Sequence, residues 1–448
     1  MGERPSKANI LGALSQALDL VEGQPEGHAL RTAKLALRLA DELQLSDSDK
    51  EDLYFAAVLK DSGCSNNAVR IQKMFGGDEF LAKQKVKLVD WTSNLESIKF
   101  AIAQTEAGNT IGAKLRRLAQ NLGHPTKVMD EVTEARCTRG AMIAKMLGLN
   151  AEVANAIHAL DEHWDGKGSP YKVKGPDIPL LARVLCFCQT FEVFVQSFGL
   201  NAAYQMADER NHKWFDPEVV AACRAISSDS QFWNAFNDLE GISIQFAESH
   251  ESAIDADLDG IAEAFALIID AKSSFTAEHS TRVARYAVQL GRYMGLPADT
   301  IKLLHRAGLL HDIGKLGIST AILEKPGKLE PEEFDQIKLH PKYSDLILRR
   351  IPTFEDIADL ASTHHERLDG KGYWRGLGAD QLSLTSRIMT VSDVFDALSA
   401  NRPYRQALPL ETIFQIMDRD IGSAFDPDCM IALHEIYSDR EKSLPLAA

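Results

Sequence analysis

The chain is short of several things, and each shortage excludes a class of protein. Cysteine is scarce. The 448 residues hold six (Cys64, Cys137, Cys186, Cys188, Cys223, Cys429) and no CxxC pair, which excludes a thiolate zinc cluster or a dithiol redox motif and leaves them as small buried hydrophobes. Basic residues are outnumbered, 49 Lys and Arg against 64 Asp and Glu, for a net charge of −15. A broad duplex nucleic-acid footprint is thereby excluded, whereas a small anionic substrate is not, provided a pocket supplies local cations. No run approaches the ~18 apolar residues of a membrane span, and the start carries no apolar signal core. A cytoplasmic protein without a membrane partner is expected. Alternating strand-like runs and Gly-Pro-Asn hairpin signals are also few.

What is present is helical periodicity. Leu30 to Leu43, Val153 to Leu160, Leu258 to Ile269, Thr281 to Met294 and Ile301 to Leu310 all step their apolar residues by three and four. With a composition 45% hydrophobic and 25% charged, the chain reads as an ordinary globular protein of two or three domains, all-α in class.

The chain also repeats itself. "EGHALRTAKLALRLADELQL" from Glu26 is similar to "AEHSTRVARYAVQLGRYMGL" from Ala277, and "FAAVLKDSG" to "RAGLLHDIG"; His28 falls on His279 and Asp61 on Asp312, both at an offset of 251. "EHWDGKGSPYKVKGPDIPLLARVL" from Glu162 matches "ERLDGKGYWRGLGADQLSLTSRIM" from Glu366 at an offset of 204, and "WFDPEVVAA" matches "AFDPDCMIA" at 210. Two copies of one helical domain are expected, at 8–225 and 262–440, joined by a Ser-, Asp- and Glu-rich linker at 226–261 that feeds a connecting helix.

The fall in offset gives the first copy about 47 extra residues between Asp61 and Arg136, an insertion around 66–133. Within it Gly76-Gly77-Asp78-Glu79-Phe80 spells the signature of domains that synthesise cyclic di-GMP. Such a domain needs well over a hundred residues of βα structure around those letters, and the insertion has no room for it. The upstream Arg-x-x-Asp of that family is missing too, its slot reading Asn67-Ala68-Val69-Arg70. The letters therefore read as a Gly-Gly turn followed by an Asp78 helix cap.

Six of the thirteen histidines fall between His279 and His365. Setting His305 aside as a hydrogen-bonded histidine, as for His158 and His434, leaves His279, His311, His340, His364 and His365, with Asp312 in "HDIGK" and Asp393 in "VSDVFDAL". Imidazole and carboxylate together suit Fe, Mn or Zn, and seven such groups suffice for two metals bridged by a carboxylate. The His-Asp pair follows an apolar helix that Gly314 can end. A P-loop reading of "GLLHDIGKL" fails, because five residues separate Gly308 from Gly314 and Leu316 replaces the Ser/Thr.

"AEHSTRVARYA", "HDIGKLGI", "ILEKPGKL", "KLHPKYS", "HHERLDGKGYWRGL", "SRIMTVSDVFDALSANRPYR" and "FDP" together resemble an HD-GYP domain, a branch of the HD metal-dependent phosphohydrolases, over nearly all of residues 270–430. The resemblance implies an all-helical fold and hydrolysis of a cyclic dinucleotide, cyclic di-GMP or 3′,3′-cyclic GMP-AMP, to a linear dinucleotide through a metal-bridging hydroxide. It implies that His279, His311, Asp312 and Asp393 hold one metal, and that Asp312 bridges to a second held by His340, His364 and His365. Some relatives add a third metal through a glutamate four residues before the first histidine; Phe275 stands there, so two divalent ions are implied, Fe or Mn best by softness. Lys315 is implied to reach the phosphate, and Asp396 to act behind the metal ligands or as proton donor to the leaving oxygen. Arg282 resembles a phosphate contact but equally fits a surface ion pair. Tyr373 and Trp374 lie in the substrate loop, where Trp374 replaces the Pro of Gly-Tyr-Pro and leaves purine preference open.

In the first copy Lys60 stands for His311, Arg136 for His340, Leu160 and Asp161 for His364 and His365, and Gln189 for Asp393. Five of seven ligands are gone, so this half is expected to be metal-free, as a packing, regulatory or nucleotide-sensing copy. Competing readings are an HD phosphohydrolase of nucleoside phosphates and a cyclic-dinucleotide receptor that does not cut. A homodimer is left open.

Overall fold

The computed structural model describes residues 6–70, 80, 83–84, 87–89, 99, 125–240, 242, 254–273, 278–325, 327–401 and 406–441. Gly76 to Glu79, most of the insertion, Phe275 and Arg402 to Arg405 lie outside them. The described residues form helices and short 3-10 turns with only isolated bridges, so the fold is all-α, as expected. The chain divides into two units, Met1–Asp257 with Ser319–Ala321, and Leu258–Ile318 with Ile322–Ala448.

The first unit is built on α1 (Lys7–Val21), α2 (His28–Glu42), α3 (Asp47–Leu59), α4 (Pro125–Met146), α5 (Ala151–His158), α6 (Leu180–Phe198), α7 (Leu200–Arg210) and α8 (Pro217–Ala225). Side-chain caps set the helix starts: Ser46 and Asp49 form a capping box on α3, Asn150 accepts the Val153 N–H, and Asp216 accepts the Glu218 N–H ahead of Pro217. Sequence reading expected no run of membrane-spanning character, yet α6 is long and apolar enough to cross a membrane; 67% of its most apolar window is buried. The reason is its place in the fold, packed against α2, α3, α5, α7 and α8, which together cover most of its length.

In the second unit, α9 (Ile254–Asp270) leads into α10 (His279–Tyr293), α11 (Ala298–Leu310), a 3-10 turn (Ile313–Gly317), α12 (Pro331–Ile337), α13 (His340–Leu348), α14 (Glu355–Thr363), α15 (Leu384–Ser399), α16 (Leu410–Met417) and α17 (Pro427–Glu441). Helix α10 buries His279, Val283, Ala284, Tyr286, Ala287 and Leu290 and packs on α11, α15 and α17. Leu290, Leu304, Leu310 and Leu316 are wholly excluded from solvent, each contributing roughly 2 kcal/mol. The Asp270 carboxylate ties down the start of α10 by accepting from Ser280 N–H and Oγ–H, the latter at 2.7 Å.

Two glycines bring the ligand-bearing elements together. A Cβ on Gly308 would lie 2.5 Å from Ala284 Cα, so α11 crosses α10 closely. A Cβ on Gly314 would lie 2.0 Å from the His340 carbonyl oxygen, so the 3-10 turn seats directly on the first turn of α13. Gly314 was expected to end the helix. Instead α11 already ends at Leu310, Gly314 sits within the 3-10 turn, and what matters is its missing side chain.

Candidate metal centre

Five histidines and two aspartates from five elements converge in the second unit. His279 opens α10, and His311 and Asp312 follow the last turn of α11. His340 opens α13, His364 and His365 follow α14, and Asp393 lies in α15. Asp312 stands at the centre. Its Oδ2 is 3.3 Å from His279 Nε2 and 3.3 Å from His311 Nε2; its Oδ1 is 3.3 Å from His340 Nε2 and 3.7 Å from His364 Nε2. Asp393 Oδ1 lies 3.3 Å from His279 Nε2 and 3.8 Å from His311 Nε2, and its Oδ2 is 3.7 Å from His365 Nδ1. The ligand atoms of His340, His364 and His365 cluster within 4.8 Å, as do those of His279, His311 and Asp312.

The rings are aimed by what their other nitrogen does. Nδ1 of His311, His340 and His364 donates to the carbonyl three residues earlier, of Gly308 (2.8 Å), Ile337 (2.7 Å) and Ala361 (2.6 Å). His279 Nδ1 donates to Asp396 Oδ2 at 2.7 Å. That leaves the Nε2 of His311, His340 and His364 as a lone pair pointing inward. His340 Nε2 and His364 Nε2 face one another at 3.1 Å with neither carrying a proton to share, while His311 Nε2 and Asp312 Oδ1 are buried without a hydrogen-bond partner. Lone pairs crowded in this way fit divalent cations and little else.

The electrostatics agree. Burial pushes His340 down to about 3 and His364 to about 4, holding both neutral, the form that ligates. His365 is likewise held well below the ordinary range by burial and by His364. Burial opposes ionisation of Asp312, but the neighbouring His311, Lys315 and His279 override it and hold the carboxylate well below its ordinary range. Asp393 is held low in the same way, chiefly by His279. His279 differs: burial is outweighed by the carboxylates of Asp312, Asp393 and Asp396, which raise it, so a cation would have to displace its Nε2 proton.

Around this core, Lys315 pairs its ammonium with Asp312 Oδ2. Asp396 lies behind His279, 1% exposed, and also accepts from Arg282 Nε (2.6 Å) and Nη2 (3.0 Å). The Tyr373 ring is 4.8 Å from that of His365, with burial raising its phenol above the ordinary range. Trp374 lies under the Arg375 guanidinium, 5.1 Å from the ring centre, and is joined to Tyr373 by a cis peptide.

Sequence reading missed several supports. Glu366, 1% exposed, accepts N–H bonds from Arg375 (2.8 Å), Gly376 (3.2 Å) and Leu377 (3.0 Å) and so holds the loop that carries Tyr373 and Trp374. Ser344 Oγ accepts from Gly314 N–H (3.0 Å) and donates to the His311 carbonyl (2.7 Å). The repeat held a signal for Asp270 and Glu366. With Arg282 and Asp396, already singled out in the sequence, they fall on Asp19, Glu162, Arg31 and Glu192, and these do the same work in the first unit. Asp19 accepts Gly27 and Ala29 N–H, Glu162 accepts Tyr171 and Val173 N–H, and Glu192 binds both His28 Nδ1 and Arg31 Nε. Where the second unit gathers ligands, the first has Lys60 on Asp61 and Arg136 on Asp161.

An all-helical unit gathering imidazoles and carboxylates around one buried aspartate has the build of a metal-dependent phosphohydrolase. The chain belongs to the HD domain family, whose model matches residues 80–219 and 263–429. It is 39% identical over 446 residues to a 3′3′-cGAMP-specific phosphodiesterase 3 of Vibrio cholerae, covering 98% of this chain and 96% of that one. A cyclic di-GMP phosphodiesterase of Thermotoga maritima is 37% identical over 166 residues, 37% of this chain and 45% of its own length. The crystal structure of a cyclic GMP-AMP-specific phosphodiesterase of V. cholerae superimposes with a TM-score of 0.65 at 35% identity, covering 99% of both chains.

Proposed function

We propose that this protein is a metal-dependent phosphodiesterase that opens a cyclic dinucleotide, 3′,3′-cyclic GMP-AMP or cyclic di-GMP, to its linear form. The observation that carries this is Asp312, whose two oxygens each face a separate group of imidazoles. The seven side chains would hold divalent cations, which when bound would supply Lewis acidity and lower the pKa of water. Iron or manganese suits the His/carboxylate set, and two ions match the two groups.

The chain's own residues do the rest. Asp312 and Asp393 bring negative charge that offsets the cations, and the backbone-bonded imidazoles keep their lone pairs forward without rearrangement. Lys315, at the edge of the centre, adds a positive charge where a phosphate oxygen gains negative charge in the transition state. Asp396, enclosed between His279 and Arg282, suits orienting His279 better than giving a proton to a leaving oxygen, and Arg282 acts through it. Tyr373 and Trp374 form the loop wall against a base. Water oxygen joins phosphorus, the bond to the ribose 3′ oxygen breaks, and the proton ends on that oxygen. Six buried thiols without a disulfide suit the cytoplasm.

The test is chromatography of cyclic GMP-AMP and cyclic di-GMP digests with manganese or ferrous iron, Asp312→Ala serving as control. A linear dinucleotide from wild type and none from the variant is expected. Cleavage of nucleoside triphosphates alone, or tight binding with no product, would replace this reading with one of its competitors.

A further inference from the structure

The first unit keeps the counterpart of the central aspartate, and Asp61 is as enclosed as Asp312, with a side chain 2% exposed. Both of its oxygens meet ammonium groups of the same chain. Lys60 Nζ pairs with Oδ2, and Lys87 Nζ lies 3.4 Å from Oδ1. Lys87 Nζ is also 3.4 Å from His28 Nε2 and 3.7 Å from Glu22 Oε2, while Lys83 Nζ is 3.3 Å from Glu22 Oε1. These lysines are buried, at 0% exposure for Lys60, 4% for Lys83 and 8% for Lys87.

The arrangement parallels the second unit closely. There each oxygen of Asp312 faces one group of imidazoles; here each oxygen of Asp61 meets one ammonium. His28 keeps the orientation of its counterpart His279, its Nδ1 bound to Glu192 as that of His279 is to Asp396, so its Nε2 lone pair still points inward. In the first unit that lone pair meets Lys87.

We propose that Lys60 and Lys87 are built-in replacements for a metal pair, and that the insertion of the first copy serves to deliver Lys87, with Lys83, into the vacated centre. Lys60 arises by substitution at the position of His311. Lys87 comes from the insertion, which has no counterpart in the second copy, so the second charge required a new segment of chain. The physical need is plain: two buried carboxylates, Asp61 and Glu22, demand positive charge, and a fold that has lost its imidazoles must find it elsewhere. Glu22, Asp61 and Cys64 place their ligand atoms within 4.8 Å of one another, a spacing that a cation could use, but the ammoniums already stand against the two carboxylates. Lys87 is held charged there by Asp61 and Glu22 in spite of its burial. The GGDEF letters then belong to a segment whose work is done by two lysines a few residues further on.

The experiment uses the full chain, in crystals grown with manganese and measured at its absorption edge, and in thermal melts. Wild type is expected to show no anomalous peak among His28, Glu22 and Asp61. Lys87→Ala, which takes one of two ammonium partners from each of the buried carboxylates Asp61 and Glu22, is expected to lower the first unit's melting temperature by about 10 °C, while Lys87→Arg, which keeps the charge, melts near wild type. A manganese peak beside Asp61 in wild type overturns the proposal. So does a Lys87→Ala chain that melts as wild type, or a Lys87→Arg chain no better folded than Lys87→Ala.

Discussion

Replacing Gly314 by alanine is the smallest change that reaches the centre without touching a ligand. The added Cβ would stand 2.0 Å from the His340 carbonyl oxygen and 2.6 Å from Ser344 N, whereas ordinary contact begins at 3.4 Å. Because the obstruction is backbone, no rotamer relieves it, and α13 must retreat by roughly an ångström or more. It carries His340 with it, whose Nε2 is 3.3 Å from Asp312 Oδ1, and it pulls on the Ser344 hydroxyl that links Gly314 N–H to the His311 carbonyl. Overpacking of this kind costs about 1–3 kcal/mol, or roughly 2–10 °C in melting temperature for a unit of this size. Displacing a ligand by about 1 Å costs roughly a hundredfold in rate. Gly63→Ala is the matched control, because its Cβ would lie 2.0 Å from the Arg136 carbonyl oxygen, the same insult where no imidazoles gather. Circular-dichroism melts, metal content and kcat/KM should therefore separate the two. Both variants lose stability, but only Gly314→Ala loses metal and activity. If Gly314→Ala destabilises as Gly63→Ala does yet keeps its metal and its rate, the contact does not set the centre and this reasoning fails.

Asp396→Asn removes the charge behind His279 and is expected to weaken metal affinity about 10–100-fold by calorimetry, with little change in melting; unchanged affinity with a fallen kcat would instead place Asp396 in proton transfer. Glu366→Ala orphans three loop N–H groups and should cost at least about 1–3 kcal/mol while raising KM, so an unaltered melt and KM would show that the loop holds itself. Burial raises Asp19 to about 7, partly offset by Lys60 and by the Ala29 N–H. Between the ordinary carboxylate range and that value the folded state keeps a proton that the unfolded state releases, so the first unit should lose stability as pH rises from about 4 to about 7, by up to roughly 4 kcal/mol. Asp19→Asn cannot ionise and should flatten that slope in melts at pH 5 and pH 8; a wild-type transition indifferent to pH across this range counts against it.

Much of this protein was written in one dimension. The three- and four-residue steps specify helices because burial on one face is a local property of the pattern, and the all-α class followed from them. Two copies could be read from matching strings, and the histidines packed between His279 and His365 marked a candidate ligand set, which the fold brings around Asp312. The same comparison, carried past the seven candidate ligands, held Asp270, Arg282, Glu366 and Asp396 in their counterparts, which recur because they brace loops and helix starts that both units share.

Tertiary structure decided the rest. That Asp312 divides its oxygens between two groups depends on close crossings at Gly308 and Gly314, and a glycine needed for space looks in sequence like one needed for a turn. Helix α6 carries enough apolar residues to suggest a membrane, and only its neighbours in the bundle account for them. Lys87 is one lysine among many along the chain; that it stands against Asp61 is a matter of distance in space, which spacing along the chain does not encode.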